Sequence, residues 1–321
     1  MSFNFKPLIS TVILLILATS SGWASPLPDR AKALYQSHEQ KCIKKGWTKM
    51  RVTVSGHERK ILFKMPRQNV KGAVIVLHGG SGSYSNFCSG IWIGKPMVQF
   101  SELALQEAFA VFSLDSGWNS FTDENGNLCG KRWNSFGQNN KANRDLDFIK
   151  AVATKHIPLK LPVSARRNIF MSGISNGGYM TILSSVYLSK WITAFAPVSA
   201  GNPFSTRIDC KRRFADRPMA PGRFFHTSGN MINSNDACKD NHIKLLPKRN
   251  SGIAFKQFHH KGDSLVDLSC MNEAQHFLVK NGFKDRGAYI ASDNGGKRLW
   301  KHFWLGRYNE GIISFFKERL R

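Results

Sequence analysis

The sequence predicts an α/β protein, a mostly parallel sheet flanked by helices on both faces. Three observations carry this. Short apolar runs at Gly72–Leu77, Ala110–Asp115, Asn168–Ser172, Ile192–Val198 and Ile253–His259 alternate with stretches of helical periodicity, the signature of repeated strand–helix units. The runs are near-continuous rather than alternating, as expected of strands buried on both faces. No internal repeat or low-complexity linker interrupts them, and 321 residues suffice for one large domain with a sizeable core.

The elements follow in chain order. Lys6, an apolar run from Pro7 to Ala18 and the small-x-small site Gly22-Trp23-Ala24 predict an export signal over residues 1–24, too short for a membrane span. A single catalytic domain is expected over 25–321. A helix is predicted around Ala31–Glu39. Arg51–Val54 and Lys60–Lys64 alternate about the turn Ser55-Gly56-His57 and predict a hairpin. The first buried strand, Gly72–Leu77, runs into His78-Gly79-Gly80-Ser81-Gly82-Ser83. A helix over Phe100–Ala108 precedes the next strand. A long polar loop, Ser116–Lys141, then carries Trp118 and Trp133, which either line a substrate cleft or anchor the loop to the body. A helix follows over Ala142–His156. Residues 201–251 are irregular and basic, and read as an excursion over the site. After the strand Ile253–His259 come a helix over Cys270–Lys280, a short strand Ala288–Ile290, and a last helix over Arg307–Leu320.

Composition narrows the chemistry. Six cysteines without a Cys-x-x-Cys pair suggest disulfides in an exported protein, with Cys88–Cys129 the first pairing to expect. Neither a metal nor another cofactor is indicated: His259 and His260 lack a completing cluster, and the glycine loop lacks a Gly-Lys-Ser/Thr. Lys and Arg number 46 against 21 Asp and Glu, a formal charge of +25. Much of it falls between Arg207 and Arg249. Either it is a solvated basic surface or it draws the protein to an anionic surface or polymer. With no aromatic-interleaved module beside it, nucleic acid is not expected as a partner.

The chemistry concentrates in Gly173-Ile174-Ser175-Asn176-Gly177. A strand that turns directly into a helix leaves Ser175 at a sharp corner, clear of the sheet and above a helix N-terminus. A serine needs a base, and the base needs a carboxylate to hold its tautomer. On such a sheet these follow in the order Ser, Asp, His, which Ser175, Asp263 and His302 supply. The backbone N–H of Asn176 and the Gly80–Ser81 turn are the expected oxyanion donors. Trp118 and Trp304 are the expected substrate-contacting rings.

The stretch Gly173–Met180, Arg167, His302-Phe303-Trp304, the hairpin with Gly56 and Arg59, and Asp263 four residues after His259 together resemble the secreted α/β-hydrolases grouped with polyhydroxybutyrate depolymerases and feruloyl esterases. The resemblance runs from about residue 50 to the end of the chain. It implies the α/β-hydrolase fold and a secreted or periplasmic serine esterase with Ser175, Asp263 and His302 as triad, acting on aryl, feruloyl or short hydroxyalkanoate esters. The chain departs from the family at His259-His260-Lys261-Gly262-Asp263, where His-Gly-x-x-Asp is usual, and at Leu305, where proline is usual. Two other readings differ in kind. One is a serine peptidase, since Ser-x-Gly-Gly-Tyr also occurs in prolyl-oligopeptidase-like enzymes, although their large extra domain has no room here. The other is a non-enzymatic basic protein that binds an anionic surface.

Overall fold

The computed structural model describes residues 29–90, 94–117, 131–135, 143–204, 252–293 and 298–321. The export signal, Trp118, Cys129 and the basic run Arg207–Arg249 therefore lie outside the described residues. Helix α1 spans Asp29–Lys44 and leads into the hairpin β1 (Thr48–Val54) and β2 (His57–Lys64). Ser55 and Gly56 both take positive φ, 49° and 76°, the conformation that matches the twist of a two-residue hairpin. Then come β3 (Gly72–Leu77), α2 (Lys95–Gln106), β4 (Phe109–Leu114), α3 (Arg144–Ala151) and β5 (Ile169–Ile174). Next are α4 (Asn176–Tyr187), β6 (Ala194–Val198), β7 (Ala254–His260), α5 (Leu268–Lys280), β8 (Lys284–Ala291) and α6 (Tyr308–Lys317).

The strands form one eight-stranded sheet in the order β1-β2-β4-β3-β5-β6-β7-β8. The hairpin joins antiparallel through β2 and β4. Every pair from β4 to β8 is parallel. The pleat then sorts the side chains. Ala73, Ile75, Leu77 and Met171 face a layer built on α3, α4 and α5, with Phe148, Leu183 and Phe277. Val74, Val76 and Phe170 face a layer built on α1, α2 and α6, with Phe100, Ile312 and Phe316. Central strands buried on both sides are why the sequence shows unbroken apolar runs there.

Several elements differ from expectation: α1 runs on to Lys44 rather than ending at Glu39, and α2 begins at Lys95 rather than Phe100. The edge strand β8 begins at Lys284, well before Ala288. Its first half is Lys-Asp-Arg-Gly and largely exposed, and charged residues are how sheet edges avoid further pairing, so hydrophobic pattern does not mark it. Helix α3 continues as a π turn over Val152–His156 rather than as a regular helix. Among the described residues no helix is long and apolar enough to cross a membrane.

The expected Cys88–Cys129 bond is not formed: Cys88 pairs with Cys42. The reason is that α1 packs beside the single turn Tyr84–Phe87, which delivers Cys88 to the helix end rather than to the long loop. Cys270 is also disulfide-bonded. The Cys42–Cys88 bridge closes a separation of 46 residues. Replacing both cysteines by alanine is expected to lower stability by about 2–4 kcal/mol, measured as a lower urea midpoint.

Candidate active site

The site is built on the corner between β5 and α4. Ser175 sits there with φ 54° and ψ −124°, a conformation that non-glycine residues adopt only when their surroundings enforce it. Its N–H donates to Val198 O at 2.9 Å and its carbonyl accepts from Tyr179 N at 2.9 Å, so both sides of the corner are tied. The glycines around it are required by close approach. A Cβ on Gly173 would lie 2.5 Å from Gly177 O, and one on Gly177 would lie 2.4 Å from the carbonyl oxygens of both Leu77 and His78. Those are backbone atoms of neighbouring elements and cannot rotate aside. Gly177→Ala is therefore expected to destabilise the fold by at least about 3 kcal/mol, measured by urea unfolding.

Asp263 and His302 are in direct contact. Asp263 lies in the turn after β7, and His302 ends the short helical turn Arg298–His302. His302 Nδ1 is 2.8 Å from Asp263 Oδ2 and 3.0 Å from Oδ1, and both residues are buried. The same Oδ1 accepts the N–H groups of Leu265 (2.9 Å) and Val266 (3.0 Å), so the turn-capping role and the imidazole-orienting role coincide in one carboxylate. Burial raises the Asp263 carboxyl, but His302, His259 and the Val266 N–H together outweigh it and hold it below the usual carboxylate range. An ionised Asp263 fixes the proton of His302 on Nδ1 and leaves Nε2 as the basic nitrogen.

His259 supports the acid turn from beneath. Its Nε2–H donates to Val266 O at 2.8 Å and lies 3.6 Å from Asp263 Oδ2. Burial lowers its pKa and keeps it neutral. Asp267, the nearest competing acid, instead caps α5 by accepting from Ser269 N; Asp236 and Asp240 lie outside the described residues. His260 turns away to Asp293, at 2.6 Å. Among the described residues no group of three or more His, Cys, Asp or Glu gathers as a metal site would need.

Ser175, Asp263 and His302 all stand at the carboxyl edge of the sheet, after β5, β7 and β8 respectively. No hydrogen bond joins Ser175 to His302.

One of the expected oxyanion donors is occupied. Ser81 N–H is already donated to Lys131 O at 2.8 Å, so Ser81 is not an available donor. The loop from Lys131 to Ser135 folds back over the glycine turn and takes it. Gly80 N–H and the Asn176 N–H, the first of α4, remain. The Asn176 side chain is committed elsewhere. Its Oδ1 accepts from Trp133 N at 2.7 Å, and its Nδ2 donates to Trp133 O (3.0 Å) and Ser135 Oγ (2.9 Å). Trp133 is fully buried and its Nε1–H donates to His78 O at 2.9 Å, which resolves its role as an anchor. His78 is buried below: its Nδ1–H donates to Gly79 O at 2.7 Å and its Nε2 accepts from Ser116 N. Both ring nitrogens are occupied, so the ring shapes the loop.

Trp304, expected as a substrate-contacting ring, is instead buried in the core. It is 1% exposed, packs edge-on against Phe87 and Phe100, and donates from Nε1 to Asn309 Oδ1 at 2.7 Å. Neighbouring His302 reaches the site because Trp304 is pinned in the core. The sequence reading also missed the frame that carries the Lys131–Ser135 segment. Arg59 meets Asp145 Oδ1 at 2.5 Å across the sheet edge and lies 4.4 Å from the centre of the Phe148 ring. Asp145 Oδ2 accepts from Asn134 N at 2.7 Å. Lys131 pairs with Asp115 at 2.8 Å. Arg59 in a strand and an acid at a helix start were the available signal, but nothing in one sequence joins them.

No family profile matches the chain, and no curated protein does. Solved structures match it in shape. The carboxylesterase EstE1 from a metagenomic library superposes with a TM-score of 0.54 at 14% identity, covering 91% of this chain and 98% of that one. A thermostable esterase gives 0.53 at 16% identity over 86% of this chain, which spans only 64% of that protein's length. An S-formylglutathione hydrolase from Agrobacterium tumefaciens gives 0.51 at 12% identity, covering 86% and 95%. At this identity the likeness establishes the fold: the chain has the α/β-hydrolase fold.

Proposed function

We propose that the protein is an exported serine hydrolase of carboxylic esters. The observation that carries this reading is the buried His302–Asp263 pair, with Nδ1 at 2.8 Å from the carboxylate, on the same sheet edge as the strained serine corner. Ser175 Oγ attacks the ester carbonyl and passes its proton to His302 Nε2. The N–H groups of Gly80 and Asn176 receive the charge on the carbonyl oxygen. The C–O bond to the alcohol breaks, the alcohol leaves with the proton from His302, and water then releases the acid by the same steps in reverse order. Asp263 holds the imidazole tautomer throughout.

Esterase activity in proteins of similar shape supports ester chemistry over peptide cleavage. The motif resemblance favours aryl, feruloyl or short hydroxyalkanoate esters. Cysteines that pair as disulfides, together with the apolar leader, support export. The test is treatment with a fluorophosphonate probe alongside a panel of p-nitrophenyl esters and peptide nitroanilides. Labelling at Ser175 with ester turnover is expected. Cleavage of peptides with silence on esters would move the assignment to a peptidase, and no labelling at all would end it.

A further inference from the structure

Arg132 is an ionised group beside the serine corner that the proposed hydrolysis does not use. It is 4% exposed, and its Nη1 is buried without a hydrogen-bond partner. No carboxylate pairs with it and no aromatic ring stacks on it among the described residues. Burial alone brings its pKa down to about 10, so it stays protonated at neutral pH. The nearby acid is already committed: Asp115 takes Lys131 at 2.8 Å and Tyr84 N–H at 3.2 Å. A buried cation without a counter-charge is strongly unfavourable.

The position of this charge is defined. A Cβ placed on Gly80 would be 3.6 Å from Arg132 Nη2 and 4.0 Å from the Asn176 Cβ. The guanidinium thus lies against the Gly80 turn, and that turn itself approaches the start of α4 next to Ser175. Its chain neighbours hold it there. Lys131 O receives the Ser81 N–H, and Trp133 is bonded through both N and O to the Asn176 side chain.

Building on the esterase reading, we propose that Arg132 binds a carboxylate of the substrate itself, within a few bonds of the scissile carbonyl, so that the preferred substrates are half-esters of dicarboxylic acids and like anionic esters. A guanidinium fork matches a carboxylate through two parallel N–H donors, and the substrate would supply the counter-charge that no described residue provides. The formal charge of +25 would draw such anions to the protein.

The test compares methyl hydrogen succinate with methyl butyrate, equal in acyl length, by proton release. Wild type is expected to prefer the anionic ester. Arg132→Met should cut the ratio of the two kcat/KM values by about 30-fold or more, and Arg132→Lys should recover part of it. An equal fall on both esters would overturn the proposal and make Arg132 a general oxyanion donor; an unchanged ratio would also overturn it. Free succinate should raise the thermal midpoint of wild type and of Ser175→Ala, and leave Arg132→Met unmoved. Urea unfolding adds a readout that a structural arginine would reverse: Arg132→Met should be more stable than wild type, and a loss of stability would count against the proposal. If neither ester is hydrolysed but succinate still protects through Arg132, the esterase reading fails and the anion site stands. If both esters are hydrolysed with no Arg132-dependent preference or protection, only this proposal fails.

Discussion

Ser175→Ala is expected to lower kcat on a p-nitrophenyl ester by roughly 10,000- to 1,000,000-fold, with circular dichroism and urea midpoint close to wild type. The separation of the two readouts follows from the corner. Among the described residues Ser175 Oγ has no hydrogen-bond partner, and the backbone bonds to Val198 and Tyr179 that hold the turn do not involve the side chain. Under the proposed mechanism, removing the hydroxyl removes the nucleophile and little else. Ser175→Gly makes the same point with the opposite sign in stability. At φ 54° and ψ −124° any side chain is strained, at a cost of order 1–3 kcal/mol. Glycine relieves that strain, partly offset by the entropy it adds to the unfolded chain. A glycine variant that is inactive yet at least as stable as wild type would identify the strain as a cost carried for function. A glycine variant that unfolds would show instead that the serine side chain supports the sheet, and the nucleophile assignment would lose its main physical argument.

The readability of this chain divides by the range of the interaction. The central strands were legible because burial on both faces leaves no polar residue in Gly72–Leu77, and the serine corner because a Cβ on its glycines would fall within 3 Å of neighbouring backbone. That Asp263 meets His302 was legible through chain order alone; their role beside Ser175 belongs to the proposal. Edge strand β8 was not, since half of it is charged and exposed. The Cys42–Cys88 bridge was not, since it depends on where α1 lands. Trp304 was misread because its neighbour is His302: adjacency in sequence placed it at the site, whereas the turn sends the imidazole to Asp263 and the indole to Phe87 and Phe100. Ser81 was misread for a related reason. Its N–H is available in the glycine loop considered alone, and is lost only when Lys131 returns from a long loop to accept it.

Asp263→Asn is expected to lower kcat by about 10,000-fold while the fold persists. The amide keeps an oxygen where Oδ1 now accepts Leu265 and Val266 N–H, so the acid turn stays closed. The other position becomes an NH2 group facing His302 Nδ1 at a contact of 2.8 Å in the wild type. Two donors cannot share that contact, and the imidazole must move its proton to Nε2, where it can no longer accept from Ser175. Fluorophosphonate labelling should slow in parallel with kcat. The substitution also changes the acid limb of stability, with a sign that can be worked out. The native Asp263 carboxyl is held below its usual value of about 3.9, so the unfolded chain binds its proton first as pH falls. Its contribution is present above the unfolded value and disappears as pH drops through the lower folded one. Wild type should therefore lose urea resistance below about pH 4 more steeply than Asp263→Asn, which has no proton to take up there. Parallel curves for the two proteins would mean that Asp263 is not held ionised against His302, and the imidazole would then have no partner to fix its tautomer.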